Sequence, residues 1–474
     1  MLLYVNFTGI FIYIRCIVTG FSKRLIITVI SLAIITFMGI FSETSLAIVS
    51  PHLMEEFNVS AVAVQWLTSG FLLVLAVAIP LSPFLVKTIS TKLLFRVGVI
   101  IFIAGTLMGA FAQNFIVLLS GRLIMALGTG FCLPLLTNIV LEETTPSQRG
   151  SLLGIVGLVV SLAPITGPVL GGLIGEYLGW RWVFLFMVPI LVTAFIMGSA
   201  TIKDIRKGGT YFLDKKSFII SSFGLVSFII GISYISKLYG LILLGVSFIF
   251  LALFIYLQLK VEYPLVNIKI LRYRMFSIGL VTVCMPMAAI LALAFLIPLL
   301  SQLGLSESAF KASLILFPGT VLSGILAPVM GAKYSKLGAR KLLIPGFMIM
   351  CLSMLFLVSV GITHNIAVLS YLCFMLGASL CQVPAQTNAL NALPAKYNAD
   401  GTAILSTLQQ VSGAAGTALA SVLFSFGIKQ AELNNITNVY LYGAKYGLIL
   451  CLIFVLTGLI AALNIKTTLK IKKA

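Results

Sequence analysis

Charge is scarce in this chain. Only 9% of its 474 residues are Asp, Glu, Lys or Arg, whereas 60% are hydrophobic. One core cannot hide that much apolar surface, so a water-soluble globule is excluded. Acid is scarcer than base, with 12 Asp and Glu against 31 Lys and Arg. Histidine is nearly missing, His52 and His364 being the only two. The seven cysteines are scattered, mostly in apolar runs, and no Cys-x-x-Cys pair occurs. These absences argue against a metal site, a disulfide scaffold, or an enzyme built on clustered His, Cys and acid. No Gly-x-x-x-x-Gly-Lys-Ser/Thr loop is present, which disfavours ATP-driven transport. No alternating strand pattern suggests a barrel.

What the chain has instead is apolar length. Its hydrophobic residues fall into fourteen runs, each near the ~20 residues that cross a bilayer as a helix. Six runs fill residues 25–201, two follow a charged break within 202–274, and six fill 275–465. Residues 1–24 form an N-terminal extension too short to span comfortably, and 466–474 form a tail. The expected fold is therefore an all-α integral membrane protein.

The basic charge is distributed along the chain to match. With both ends on one side, only Arg181, Lys237, Lys311, Lys429 and Lys445 fall on the other, and Arg122 lies within a span. By the positive-inside rule both termini are cytoplasmic. The net charge of +19 then reads as topology facing anionic lipid, and not as a nucleic-acid surface.

One acid stands alone in these spans. Glu43, in the first, is the only carboxylate well inside any run. A carboxylate in hydrocarbon costs several kcal/mol, so such a residue usually faces a cavity and handles protons. The bland alternative is a protonated Glu bonded to a neighbouring helix. Arg122, near the start of the fourth span, reads as a cation shallow enough to snorkel outward.

The fifth span carries the densest pattern. Gly167, Gly171 and Gly175 recur every fourth residue, Gly150 and Gly154 begin a similar strip, and Pro164 and Pro168 interrupt the backbone. Small residues at that spacing admit a close helix neighbour, and proline bends the helix, so this span is a candidate for an interface between rocking halves.

Gly154, Gly157, Gly167, Pro168, Gly171 and Gly172 resemble the antiporter motif of major facilitator exporters. Gly179-Trp180-Arg181-Trp182 resembles the start of helix six in the fourteen-helix drug:proton antiporters, the branch that includes the EmrB, QacA and LmrB exporters. Ser42-Glu43-Thr44 is similar to that family's first-helix signature, with Ser42 at an Asn position and Ala47 replacing a later Asn. Trp66 and Phe71 match its Trp-x-x-x-x-Tyr pattern with Phe for Tyr, and Gly121-Arg122 to Gly128 its Arg motif. The loop from Ser82 to Arg96 sits where the superfamily carries an acidic gate, with Val86 at the Asp position. Pro328, Gly331, Ser335, Gly338 and Arg340 form a second such loop, as a duplicated transporter requires.

The resemblance implies two six-helix bundles with two inserted helices between them. It also implies proton-coupled efflux of amphipathic, often cationic, drugs and dyes from a bacterial plasma membrane. The alternative is proton-coupled transport of one metabolite or nutrient. The implied partners are small-molecule drugs, protons and membrane lipids, with the chain acting as a monomer. No cofactor is called for, since the proton gradient is the energy source. Glu43 and Arg122 are the candidate proton-coupling residues. Gln65, Trp66, Phe71, Asn138, Phe295, Gln386, Asn388 and Gln409 are candidates for the cavity wall, where amides and aromatics accept varied cargo. Spans seven and eight are expected to face lipid.

Overall fold

The computed structural model describes residues 21–144, 146–204, 214–261, 265–360, 362–394 and 397–466. The N-terminal extension, most of the charged break and the tail therefore lie outside the described residues. Fourteen long helices run in order: α1 (Lys23–Glu56), α2 (Trp66–Thr88), α3 (Thr91–Ala110), α4 (Phe115–Glu143) and α5 (Pro146–Tyr177). Then come α6 (Arg181–Thr201), α7 (Lys215–Ser233), α8 (Leu238–Lys260), α9 (Arg274–Leu299) and α10 (Ala309–Leu337). The last four are α11 (Ala339–Val360), α12 (His364–Asn391), α13 (Asn398–Leu433) and α14 (Val439–Leu463). Among the described residues, thirteen helices are long and apolar enough to cross a bilayer by length and composition. The other long helix is α5, whose 32 residues continue through Pro164 and Pro168.

The helices begin where side chains can satisfy their free backbone donors. Ser22, Ser90, Asn114 and Ser308 each accept a hydrogen bond from the amide three residues on. Some helices end just as locally. Gly338, at φ 76°, turns α10 directly into α11, and Gly179, at φ 90°, turns α5 into α6.

Packing follows an internal repeat. In the first half α3 packs on α4, α1 on α5, α2 on α4, and both α1 and α3 on α6. In the second half α11 packs on α12, α9 on α13, α10 on α12, and both α9 and α11 on α14. Adding eight to each label converts the first set into the second. The two halves meet along two seams, α2 with α13 and α5 with α10, which the same operation exchanges. Related halves meeting at a central cavity are the architecture of a duplicated transporter.

The α7–α8 hairpin breaks this symmetry. Helix α7 lies across the α2–α13 seam, and no described helix lies in the matching place over α5–α10. Expectation and structure differ here. Ile229 is fully buried in a small apolar cluster shared by α2, α7, α9 and α13, and Ser227 and Ser233 of the same helix are nearly as buried. Only α8 keeps a mostly exposed surface, with Gly240, Ser247 and Gln258 its buried residues. Hydropathy reports that a helix is apolar, not which side of it meets lipid.

The ends of the helices define two faces. One gathers Lys23, Arg24, Lys92, Lys215, Arg272 and Arg340 and is called the basic face below. Most described hydrogen bonds between the halves lie toward the opposite face. There Gln302 Nε2 donates to the Ile48 carbonyl at 2.7 Å, and the Phe310 amide donates to Glu176 Oε2 at 2.8 Å.

Candidate functional site

Helix α1 sets the site in place. Most of its buried hydroxyls bond back to their own helix, while Thr28 reaches Thr201 of α6 and Ser45 reaches α5. Ser31 donates to the Thr28 carbonyl, Thr36 to Leu32 and Ser42 to Gly39, at 2.8, 3.0 and 2.9 Å. Such internal bonds let a polar helix pass through an apolar interior with its donors satisfied.

Ser42 has a second role. Its Oγ accepts a 2.8 Å hydrogen bond from Arg122 Nη1, so both functions of the hydroxyl are in use. Arg122 Nε donates to the Leu67 carbonyl of α2 at 3.3 Å, and its guanidinium carbon stands 4.4 Å from the centre of the Phe71 ring. A cation over an aromatic face gains quadrupole attraction, more so when desolvated. The remaining nitrogen, Nη2, is buried without a partner. Arg122 is completely buried, so the expected snorkelling does not occur. Helices α1 and α2 close over it and exclude water from the route outward.

Glu43 follows Ser42 in α1 and faces a cavity. The cavity has a volume of about 10 Å³ and is lined by Glu43, Thr44, Ala47, Thr68, Leu291, Ala294 and Phe295. These residues come from α1, α2 and α9, so the cavity lies between the halves. That is room for about one water molecule, whereas drug-sized ligands occupy pockets of roughly 300–1,000 Å³, so this conformation is closed around the site. The wall is apolar except for Glu43 and two threonines. Ala47, where the resemblance implied an amide, lies on this wall and leaves the carboxyl as its only ionisable group. No hydrogen bond ties Glu43 among the described residues, so its carboxyl can take and release a proton without breaking a network.

The glycine strip of α5 supports this end of α1. A Cβ at Gly171 would stand 2.7 Å from the Ser45 Cα, and one at Gly175 would stand 2.5 Å from Val49 Cγ1. Ser45 Oγ donates to the Gly167 carbonyl at 2.9 Å. Gly167, Gly171 and Gly175 therefore pack α5 on α1 inside one half, which corrects their expected place between rocking halves. Gly172, about 100° further round the helix, is the one that faces the other half. A Cβ there would stand 2.9 Å from the Ala309 carbonyl oxygen of α10. Pro168 is buried within the same helix. The side-chain surroundings of Gly154, Gly157 and Asn138 lie outside what is described.

Several expected cavity residues are placed elsewhere. Gln65 is 1% exposed; its Nε2 donates to Ser233 Oγ of α7 at 3.2 Å, and its side-chain oxygen accepts from Ser69. Ser69 Oγ also lies 3.0 Å from the Ala414 carbonyl and 2.5 Å from Thr417 Oγ1. Gln65 thus ties three helices at the covered seam. Trp66 packs against the apolar cluster beside it. Phe71 lies under Arg122, away from the cavity. Asn388 is fully buried, accepting from the Tyr334 hydroxyl at 3.1 Å and donating to the Lys466 carbonyl at 3.2 Å. Gln386 and Gln409 are half-buried and do not border the described cavity. Buried amides seek partners wherever they are, so polarity alone does not mark a cavity wall. Among the described residues no group of three His, Cys, Asp or Glu could hold a metal.

Of the predicted wall residues whose side chains are described, only Phe295 borders the cavity, with Glu43 beside it. Thr44, Ala47, Thr68, Leu291 and Ala294 were not anticipated. Ala47 is one turn beyond Glu43, so helical spacing could have found it. Thr68 and Leu291 arrive from other helices, and no local signal points to them.

The sequence model of the Major Facilitator Superfamily matches residues 32–417. The chain belongs to the major facilitator superfamily. This major facilitator is 37% identical over 454 residues to the lincomycin resistance protein LmrB of Bacillus subtilis, covering 92% of this chain and 95% of that one. It is 26% identical over 437 residues to a multidrug resistance protein B homologue of Mycobacterium tuberculosis, covering 88% and 76%. A bacterial homologue of the human lysosomal transporter Spinster superposes with a TM-score of 0.69 at 14% identity, covering 94% and 98%. A peptide transporter of the POT family superposes at 0.67 and 19% identity, covering 92% and 94%. These two likenesses concern the fold. The chain is thus a polytopic membrane transporter, with Glu43 on the wall of the cavity between its halves and the buried Arg122 bonded to the neighbouring Ser42.

Proposed function

We propose that this protein is a multidrug efflux antiporter that exchanges an amphipathic, often cationic, drug for protons through Glu43. Its relatives carry the names of lincomycin and multidrug resistance proteins. The observation that carries the coupling is the unpaired Glu43 carboxyl, the one ionisable group on the wall of a cavity between the halves. The basic face is cytoplasmic by the positive-inside rule, and the opposite face is external.

The chemistry follows from charge balance. With Glu43 ionised, its negative charge offsets buried Arg122 and the cavity accepts a cation. With Glu43 protonated, Arg122 is left uncompensated and repels that cation. Protonation from outside therefore expels cargo, and deprotonation toward the cytoplasm restores the site. For a neutral cargo, one proton entering across 100 mV supplies ~2.3 kcal/mol, about fortyfold accumulation before any pH gradient is added, whereas one-for-one exchange with a monovalent cation moves no net charge and draws on the pH gradient alone. Aromatic and aliphatic wall residues such as Phe295 and Leu291 accept varied apolar bodies without fixing a shape.

The test is efflux of a fluorescent cationic dye from energised cells, wild type against Glu43→Gln at equal expression. Uncoupler-sensitive efflux in wild type with dye retained in the variant is the expected outcome. Unchanged efflux in the variant would remove Glu43 as the proton carrier.

A further inference from the structure

We infer that Glu176 and Gln302 form the latch that holds the face opposite the basic one shut. They act as positioning residues for the conformational cycle and not as contacts for cargo. The juxtaposition is specific. Helix α10 begins at Ala309, and its first amides have no partner within the helix. Ser308 caps one of them, Lys311 N, from within α10. The one before it, Phe310 N, is capped from the other half of the molecule by Glu176 Oε2 at 2.8 Å. A carboxylate on a helix N-terminus gains both a charge-assisted hydrogen bond and the field of the helix dipole.

Gly172 makes the approach possible. It stands one turn before Glu176 on α5, where a Cβ would lie 2.9 Å from the Ala309 carbonyl oxygen and 3.0 Å from Ser313 Cβ. A side chain at 172 would push α10 away from the carboxylate. The second arm comes from α9. The turn Leu300–Gly304 that follows this helix is a π-turn. Widened turns of this kind recur at functional positions. From it Gln302 Nε2 reaches the Ile48 carbonyl of α1 at 2.7 Å. Both arms therefore join one half to the other at the same face, and both must break if that face is to part. Neither residue borders the cavity. Their energy thus acts on the ratio of closed to open states and leaves the affinity of the cavity itself alone.

That this face is the outer one rests on the positive-inside rule, and its place in an export cycle on the exporter reading, whereas the latch itself rests on neither. The experiment reads conformation directly. Spin labels are attached through unnatural amino acids at Phe111 and Leu433, exposed positions in opposite halves at this face, in protein reconstituted into nanodiscs. In Glu176→Ala/Gln302→Ala the population at long distance should rise, changing the open-to-closed ratio by roughly tenfold or more. Glu176→Gln keeps an acceptor but loses the charge, so it should give a smaller shift in the same direction. It also carries the test alone if the double variant does not fold. Glu432→Gln, an exposed carboxylate on the same face, should leave the distribution as in wild type. Distances unchanged in both latch variants would overturn the latch, as would an equal shift in Glu432→Gln. A latch response in protein that exports no dye would keep the latch and remove the exporter reading.

Discussion

Glu43 and Arg122 share one region of the fold without sharing a bond. An ion pair in direct contact would hold the carboxylate ionised and keep the proton off it, whereas a fixed cation at a distance biases the carboxyl and leaves it free. Ser42 makes this arrangement possible by occupying Arg122 Nη1. In Ser42→Ala the guanidinium loses that acceptor and is freed to turn toward Glu43, so uncoupler-sensitive efflux should fall severalfold at equal expression. Undiminished efflux would show that Ser42 does not hold the two apart. A different residue carries local stability. Trp180 is 2% exposed, packs edge-on against Phe57 and Phe184, and donates to Glu56 Oε2 at 2.5 Å. Arg181 binds the same carboxylate at 2.8 Å and the Ala112 carbonyl at 3.0 Å. Large aromatic truncations in a core cost about 3–5 kcal/mol, so Trp180→Ala should lower the melting temperature in detergent and reduce yield. An unchanged melting temperature would mean that the knot is redundant. The Gly-Trp-Arg-Trp motif was legible in the sequence as a family signature, but its work as a tie between α1, α6 and the α3–α4 turn was not.

At the scale of the element, α5 and α7 behave differently from what their sequences suggest. The spacing of Gly167, Gly171 and Gly175 announces a close helix neighbour, but spacing does not say which one. The structure chooses α1, and so places the strip directly behind the cavity wall at Thr44. Gly171→Val should force α1 and α5 apart against the Ser45 backbone, where a Cβ already falls inside contact distance. Loss of both thermal stability and efflux is expected, while Gly245→Val, at an open position on α8, should retain both. Equal behaviour of the two variants would mean that close approach at Gly171 is not required. Helix α7 shows the opposite case, a span with few polar groups and no motif that nevertheless belongs to the interior. Its bond from Gln65 to Ser233 and its buried Ile229 fasten it over the α2–α13 seam. One Ser among the five of this span gives no hint of a partner more than a hundred residues away in the chain.

At the scale of the whole molecule, the two halves close one face and leave their cavity at the centre. A proton-driven exchange then predicts a dependence on both gradients. In inverted membrane vesicles, dye uptake should require an imposed pH difference or potential. It should collapse when both are dissipated, and Glu43→Gln should respond to neither. Uptake that persists without a gradient would point to facilitated passage and remove coupling. The sequence by itself determined the membrane class, the fourteen long helices, the family and the isolated acid, because each is written in local composition, periodicity or short motifs. Only the tertiary structure decided that Arg122 is buried, that Gln65 and Asn388 are fasteners and not cavity wall, and that one seam is covered while the other is bare. Those outcomes depend on which helix face meets which neighbour. In a chain that is apolar on nearly every side, hydropathy does not discriminate between faces. Close packing and the pairing of a few buried polar groups do.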